Sequence, residues 1–202
     1  MNLRPQYAQA AASGSAGGAP QDGQRAAEVT LADVRVAADA AIGVPGAAFG
    51  LSERVVDTAL AAVSAEAVGA MQALHAMTVD YLKTRKQFGV PIGSFQALQH
   101  RAADMLVALE QARSMAMYAA MMAEAPDAAE RHAAIAAAKV QVNESARLIG
   151  QAAIQLHGGI AMTRDYKAGH YFKRLTMIES LFGDTEHHLR TVAAGDGLID
   201  AV

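Results

Sequence analysis

The sequence predicts a mostly α-helical fold: an antiparallel four-helix bundle of long helices plus one short helix, preceded by a short β remnant. Three observations carry this. From residue 51 onward, apolar residues recur every three or four positions over long runs, the period of a helix with one buried face. Alanine, the strongest helix former, fills many of the intervening positions. Gly- and Pro-rich turns separate the runs, and long helices joined by short turns pack as antiparallel neighbours.

The elements follow in order. Residues 1–24 are low in complexity and read as a flexible N-terminal segment, without the basic, apolar and cleavage regions of a signal peptide. Arg25–Val36 alternates, with Val29, Leu31, Val34 and Val36 set between polar neighbours and a register slip at Ala32–Asp33. That predicts one or two short strands, which need a pairing partner because an isolated pair buries too little surface. Gly43–Gly50 is a linker by its Gly and Pro content. Residues 51–202 form the helical domain. Ser52 is placed to cap a helix of about thirty residues running through Leu60, Met71 and Leu74 to Leu82. Phe88–Gly93 ends it. Ser94 is placed to cap a second helix with core positions Phe95, Leu98, Ala102, Met105, Leu109, Ala112 and Ala116. Asp127, with Glu130 three residues on, starts a third helix that reaches Leu156 and stops at Gly158 and Gly159. A shorter helix covers about residues 165–181, and a fifth runs from Asp184 to Ala194, entered through Gly183.

Composition excludes several functions. Net charge is −3 and no Lys/Arg stripe is present, so nucleic acid is not an expected partner. No uninterrupted apolar stretch of about 18 residues occurs, so no membrane span is expected. Cysteine is absent, which removes disulfides, thiolate metal sites and cysteine nucleophiles. The expected location is the cytoplasm.

Three stretches carry candidate chemistry. In Tyr81–Gly89, the cations Lys83, Arg85 and Lys86 complement a helix C-terminal dipole, or Arg85 offers its planar fork to a phosphate beside the Phe88 ring. Gln155–Gly159 is a plain helix stop, or a place where glycine lets backbone approach a ligand. Ser180–Leu189 crowds Asp184, Glu186, His187 and His188 around Gly183. Adjacent histidines on a helix point about 100° apart and chelate one ion poorly, so no metal site is expected. His187 and His188 read as surface or interface residues, and Asp184 as an N-cap.

Taken together, Tyr81–Met105, Ala137–Gly159 and Leu181–Leu189 resemble the C-terminal helical domain of the acyl-CoA dehydrogenases. Most specific is Arg85, Gln87, Phe88, Gly89, Pro91 and Ile92, followed by Phe95, Gln96, Gln99 and Ala103–Met105. Asp22–Gly43 is similar to the end of that family's middle β-domain, which makes residues 25–50 a remnant of it with a linker. The resemblance spans roughly residues 22–195. It implies an FAD-dependent oxidoreductase that dehydrogenates an acyl-CoA thioester across its α and β carbons. It implies an oligomer, homomeric or heteromeric, with FAD between the bundles of neighbouring subunits. It assigns Arg85 to the FAD pyrophosphate, Gln87 and Phe88 to flanking FAD contacts, and Gln155, Gly158 and Gly159 to the segment that reaches a neighbour's FAD.

Two departures shape the functional expectation. The family's N-terminal helical domain and most of its middle domain have no counterpart here, so the chain reads as a C-terminal part or a small subunit. The catalytic base also has no counterpart. Phe182 stands where many members carry glutamate, and Ala59 where others carry it on the first bundle helix. Asp57 and Glu66 lie on that same helix. The catalytic residue is therefore unassigned. The endings at Leu181–Asp184 resemble subfamilies acting on steroid or dicarboxylic acyl-CoAs, which often pair two unlike subunits. Three functions stay open: an acyl-CoA dehydrogenase part, a silent assembly subunit completing a partner's FAD site, and a helical oligomerisation module.

Overall fold

The structure is a computed structural model that describes residues 46–194 continuously and, before them, residues 17–18, 20–24, 26–27, 34 and 37–44. The chain divides into two compact units, residues 1–51 and 52–202. In the first, β1 (Gly17–Gly18) pairs antiparallel with β2 (Ala26–Ala27), Gly17 opposite Ala27. The Gly23 N–H donates to the Pro20 carbonyl in the intervening turn (3.0 Å). The partner of the predicted strand thus comes from within residues 1–24, the segment read as a flexible lead. Val29, Leu31, Val36 and the register slip lie outside the described residues.

The second unit holds the helices. α1 (Phe49–Thr84) is followed by a hairpin of β3 (Lys86–Gln87) and β4 (Val90–Pro91), then α2 (Gln96–Met122), α3 (Ala128–His157), α4 (Lys167–Ser180) and α5 (Thr185–Ala194). Side-chain contacts fix their directions. Along α1, Gln72 and His75 meet Arg113 and Ala102 of α2, and Arg54 meets Glu124 just past its end, so the two helices run opposite ways. Asp57 and Tyr81 meet Arg131 and His157, so α3 runs with α1. Lys139 meets Ile178 while Gly150 abuts Phe172, so α4 runs against α3. This is an up-down-up-down bundle, with α5 packed on α3.

The core is built where the predicted stripes converge. Met71, Leu74, Met105, Val142, Ile149 and Ile178 are fully buried, interleaved with Ala67, Ala112 and Ala153, whose small side chains let the helices approach closely. A smaller cluster around Leu60, Ala119 and Ile135 closes the other end. No described helix is long and apolar enough to cross a membrane.

Two predicted caps differ. α1 begins at Phe49, three residues before Ser52. Ser94 belongs to a 3-10 turn and donates to the Pro91 carbonyl (2.7 Å), while Phe95 occupies the cap position of α2 without a side-chain bond. Phe95 is accordingly 38% exposed rather than core. Asp127 does cap α3, its Oδ1 accepting from the Glu130 N–H (2.8 Å). Asp127→Ala is expected to lower stability by about 1 kcal/mol, read as a shift of the urea midpoint.

Candidate functional site

The first stretch is shaped by the end of α1. The chain reverses through β3 and β4, and the two residues between them, Phe88 and Gly89, both have positive φ (55° and 82°). That is the geometry of a type I′ hairpin turn, natural for glycine and strained by about 1–3 kcal/mol for phenylalanine. The Phe88 ring gains no burial in return: it is 90% exposed and touches Phe95 edge-on at 6.0 Å. A hydrophobic ring held out on a strained backbone is shaped for contact with another molecule. Gly93 anchors the hairpin. A Cβ there would lie 2.8 Å from the Leu82 carbonyl oxygen, so only glycine lets the returning chain pass. The Arg85 backbone is pinned, its N–H donating to the Tyr81 carbonyl and its carbonyl accepting from the Ile92 N–H (both 2.8 Å). Its guanidinium is exposed and has no ion-pair partner among the described residues. Gln87 turns back, its Nε2 donating to the Lys86 carbonyl (2.9 Å).

The second stretch closes α3. Gly158 takes φ 65° at the helix end, and Gly158 and Gly159 are both exposed, with open space where a Cβ would stand. His157 is buried and not part of any exposed surface. Its Nδ1 lies 2.8 Å from the Ala153 carbonyl, and the Met77 backbone also faces the ring. Burial holds its pKa below the ordinary histidine value. The ring packs on Tyr81 (4.7 Å) and Tyr166 (5.1 Å). This three-ring cluster ties the ends of α1 and α3 to the start of α4. It brings Arg85, Gln87, Phe88, Gly158 and Gly159 to one end of the bundle. Gln155 lies on the flank of that end, lining a groove of about 400 Å³ with Arg101, Asp104 and Gln151.

The third stretch is elsewhere. Leu181–Asp184 follows α4, whose end sits against Lys139 and Asn143 of α3. Those residues are 14 to 18 positions before His157, roughly 25 Å along the axis at the helical rise. Phe182 has φ 58° and is 46% exposed. Asp184 caps α5, its Oδ1 accepting from the His187 N–H (2.8 Å). Glu186 pairs with Arg190 one turn on. His187 is exposed, but His188 is not a surface residue: it is 1% exposed, with neither ring nitrogen in a well-formed hydrogen bond. Among the described residues no group of three or more His, Asp or Glu could hold a metal ion.

Asp57 and Glu66, the two α1 carboxylates singled out from the sequence, are both engaged. Asp57 is fully buried and accepts from Arg131 Nε and His132 Nδ1, each at 2.9 Å. Glu66 is clamped by Arg174 through Nε (2.6 Å) and a terminal nitrogen (2.8 Å). The sequence reading missed the roles of Lys139 and Asn143. Their signal was a Lys and an Asn four residues apart on the otherwise apolar face of α3.

Comparison with known proteins agrees with this layout. Residues 49–195 match the family described as "Acyl-CoA dehydrogenase, C-terminal domain". The chain is 36% identical over 153 residues to acyl-CoA dehydrogenase IpdE2 of Mycolicibacterium smegmatis, covering 75% of this chain and 47% of that protein. It is 31% identical over 169 residues to the mitochondrial short-chain specific acyl-CoA dehydrogenase of Bos taurus, covering 84% of this chain and 40% of that one. The chain thus spans less than half the length of these relatives. Among solved structures, a variant of the Tcur3481-Tcur3483 steroid acyl-CoA dehydrogenase superposes with a TM-score of 0.75 at 29% identity, covering 89% of this chain and 47% of that one. PigA with FAD and proline superposes at 0.78 and 28% identity, covering 89% and 48%. With its helical order, its Arg85–Phe88 hairpin and its Gly158–Gly159 helix end, this chain belongs to the acyl-CoA dehydrogenase family, of which it carries the C-terminal helical domain.

Proposed function

We propose that the chain supplies the C-terminal bundle of an FAD-dependent acyl-CoA dehydrogenase. The observation that carries this is the meeting of Arg85, the exposed Phe88 ring and the Gly158–Gly159 backbone at one end of the bundle. The donor set fits the cofactor. A guanidinium fork suits a pyrophosphate, two glycines admit close backbone approach, and an exposed ring offers apolar contact. Gln87 and Gln155 complete the polar rim. When bound, the flavin supplies the hydride acceptor for α,β-dehydrogenation of an acyl-CoA thioester. The residues of this chain bind and orient it.

The roughly 25 Å between this end and Leu181–Asp184 supports a site shared between subunits, with each bundle serving two flavin positions. The chain then works in a homo- or hetero-oligomer, and we place it in the cytoplasm.

One set of observations favours a second reading, a silent subunit that completes a partner's flavin site. Phe182 and Ala59 carry no proton acceptor. Asp57 is sealed between Arg131 and His132, and Glu66 is held by Arg174. Arg85 and Phe88 weigh against a pure oligomerisation module, which needs neither.

The test is FAD affinity after co-expression with a neighbouring dehydrogenase polypeptide. Arg85→Ala is expected to weaken FAD binding about 10- to 150-fold, the loss of charge-assisted hydrogen bonds to phosphate. Unchanged affinity would overturn the assignment. The chain purified alone is expected to lack the visible flavin band. Turnover of acyl-CoA by this chain alone would rule out the silent-subunit reading.

A further inference from the structure

The Leu181–Asp184 turn rests on buried polar groups that no binding role explains. Lys139 is fully buried, its Nζ donating to Asn143 Oδ1 (2.9 Å) and to the Ile178 carbonyl (2.6 Å). Asn143 Nδ2 donates to the Glu179 carbonyl (3.3 Å), and Arg147 pairs with the Glu179 carboxylate. Side chains of α3 thus add hydrogen bonds to the last-turn carbonyls of α4, where the Ile178 carbonyl also accepts from the Leu181 N–H (3.2 Å). The chain then takes two positive φ values in succession, 58° at Phe182 and 109° at Gly183.

Under that turn sits His188. The position a Gly183 Cβ would occupy is only 3.0 Å from His188 Nε2 and 2.5 Å from His187 Cδ2, so the rings fill the space beneath the backbone. His188 is 1% exposed, and neither nitrogen makes a well-formed hydrogen bond, the backbone of Phe182 being the one polar group that favours its charged form. A neutral imidazole tolerates this poorly, and an imidazolium would add a buried charge with at most one weak backbone acceptor. The groups facing it worsen that. Lys139 and His132 approach from α3 and His187 from α5. The nearby carboxylates are committed elsewhere: Asp57 to Arg131 and His132, Glu179 to Arg147, Asp184 to the His187 N–H.

We propose that the Leu181–Asp184 turn and α5 form an acid-release clasp: protonation of His188 expels its ring from beneath Gly183 and frees the turn and α5 from α3, while α1 to α3 stay folded. The clasp stands on these contacts alone and needs no flavin. Burial, followed by the charges of His187 and Lys139, lowers the His188 pKa to about 4 from the ordinary 6.5, with the Phe182 backbone partly opposing the shift. Across that window the released state binds the extra proton. The closed state is therefore intact above about pH 6.5 and progressively lost as pH falls towards 4.

Hydrogen exchange of the chain between pH 7 and pH 4, corrected for intrinsic rates, tests it. The amides of His188–Ala194 are expected to lose protection about 100-fold, the factor that pKa difference sets between pH 7 and pH 4, while those of α2 and α3 keep theirs. His188→Leu is expected to retain α5 protection at pH 4. His187→Gln and His132→Gln are expected to keep most of the acid loss. The proposal is overturned by no loss, by equal loss in every helix, or by equal loss in His188→Leu. Should His188→Leu not fold, the other two variants decide. Retention of the loss in both is then the expected result, and its disappearance in either overturns the assignment.

Discussion

Replacing Asp57 by Ala is expected to lower the unfolding free energy by about 3–5 kcal/mol, the largest effect of any single change to a polar residue here. Asp57 is fully buried and faces Arg131, itself only 4% exposed, and His132. Arg131 spends its remaining reach on the Ala125 carbonyl (3.0 Å) at the turn before α3. Removal of the carboxylate strands a guanidinium in the bundle with no counter-charge. Urea unfolding would show a lower midpoint at unchanged slope. Adding Arg131→Met should recover most of the loss, because a buried pair replaced by apolar side chains of similar volume is nearly neutral in stability. Two additive losses in the double variant would show that the pair is not coupled.

The second expectation concerns alkaline pH. Burial lowers the Lys139 pKa to about 8 from 10.5, with Glu179 partly opposing the shift. Between those values the unfolded chain binds more protons than the native one. The penalty for a buried ammonium is therefore in force below pH 8 and relieved as pH rises to 10.5, a gain of about 3 kcal/mol. The neutral amine still has two N–H groups, enough for Asn143 Oδ1 and the Ile178 carbonyl. Unfolding free energies of the wild type and Lys139→Met, measured from pH 7 to pH 11, isolate this contribution from other titrations. The wild-type curve should climb relative to the variant by that amount; parallel curves would refute it.

These two sites also connect stability to the proposed function. Asp57 is one of the carboxylates of α1, and its burial against Arg131 commits it to holding α1 on α3. Lys139 fixes the end of α4, and with it the turn that presents Phe182. Asp57 and Glu66 are thus engaged in structure around the proposed flavin site.

What the sequence by itself determined was local. The three- and four-residue periodicity placed α1, α2 and α3, and Asp127 and Gly158 marked the ends of α3 through chemistry confined to a few residues. The Arg85–Phe88 and Gln155–Gly159 stretches were legible because their types and spacing survive without knowledge of the fold. What only the tertiary structure decided was the rotation of each helix about its axis and the pairing of distant residues. Asp57 meets Arg131 across 74 positions, and Lys139 meets Ile178 across 39. In α5, hydropathy favours burying Leu189, yet Leu189 is 44% exposed and the adjacent His188 is buried. Neighbours on a helix point about 100° apart, so a single choice of rotation exchanges one for the other. That choice was made by the close fit under Gly183 and the packing against α3, interactions that no local stretch of sequence contains.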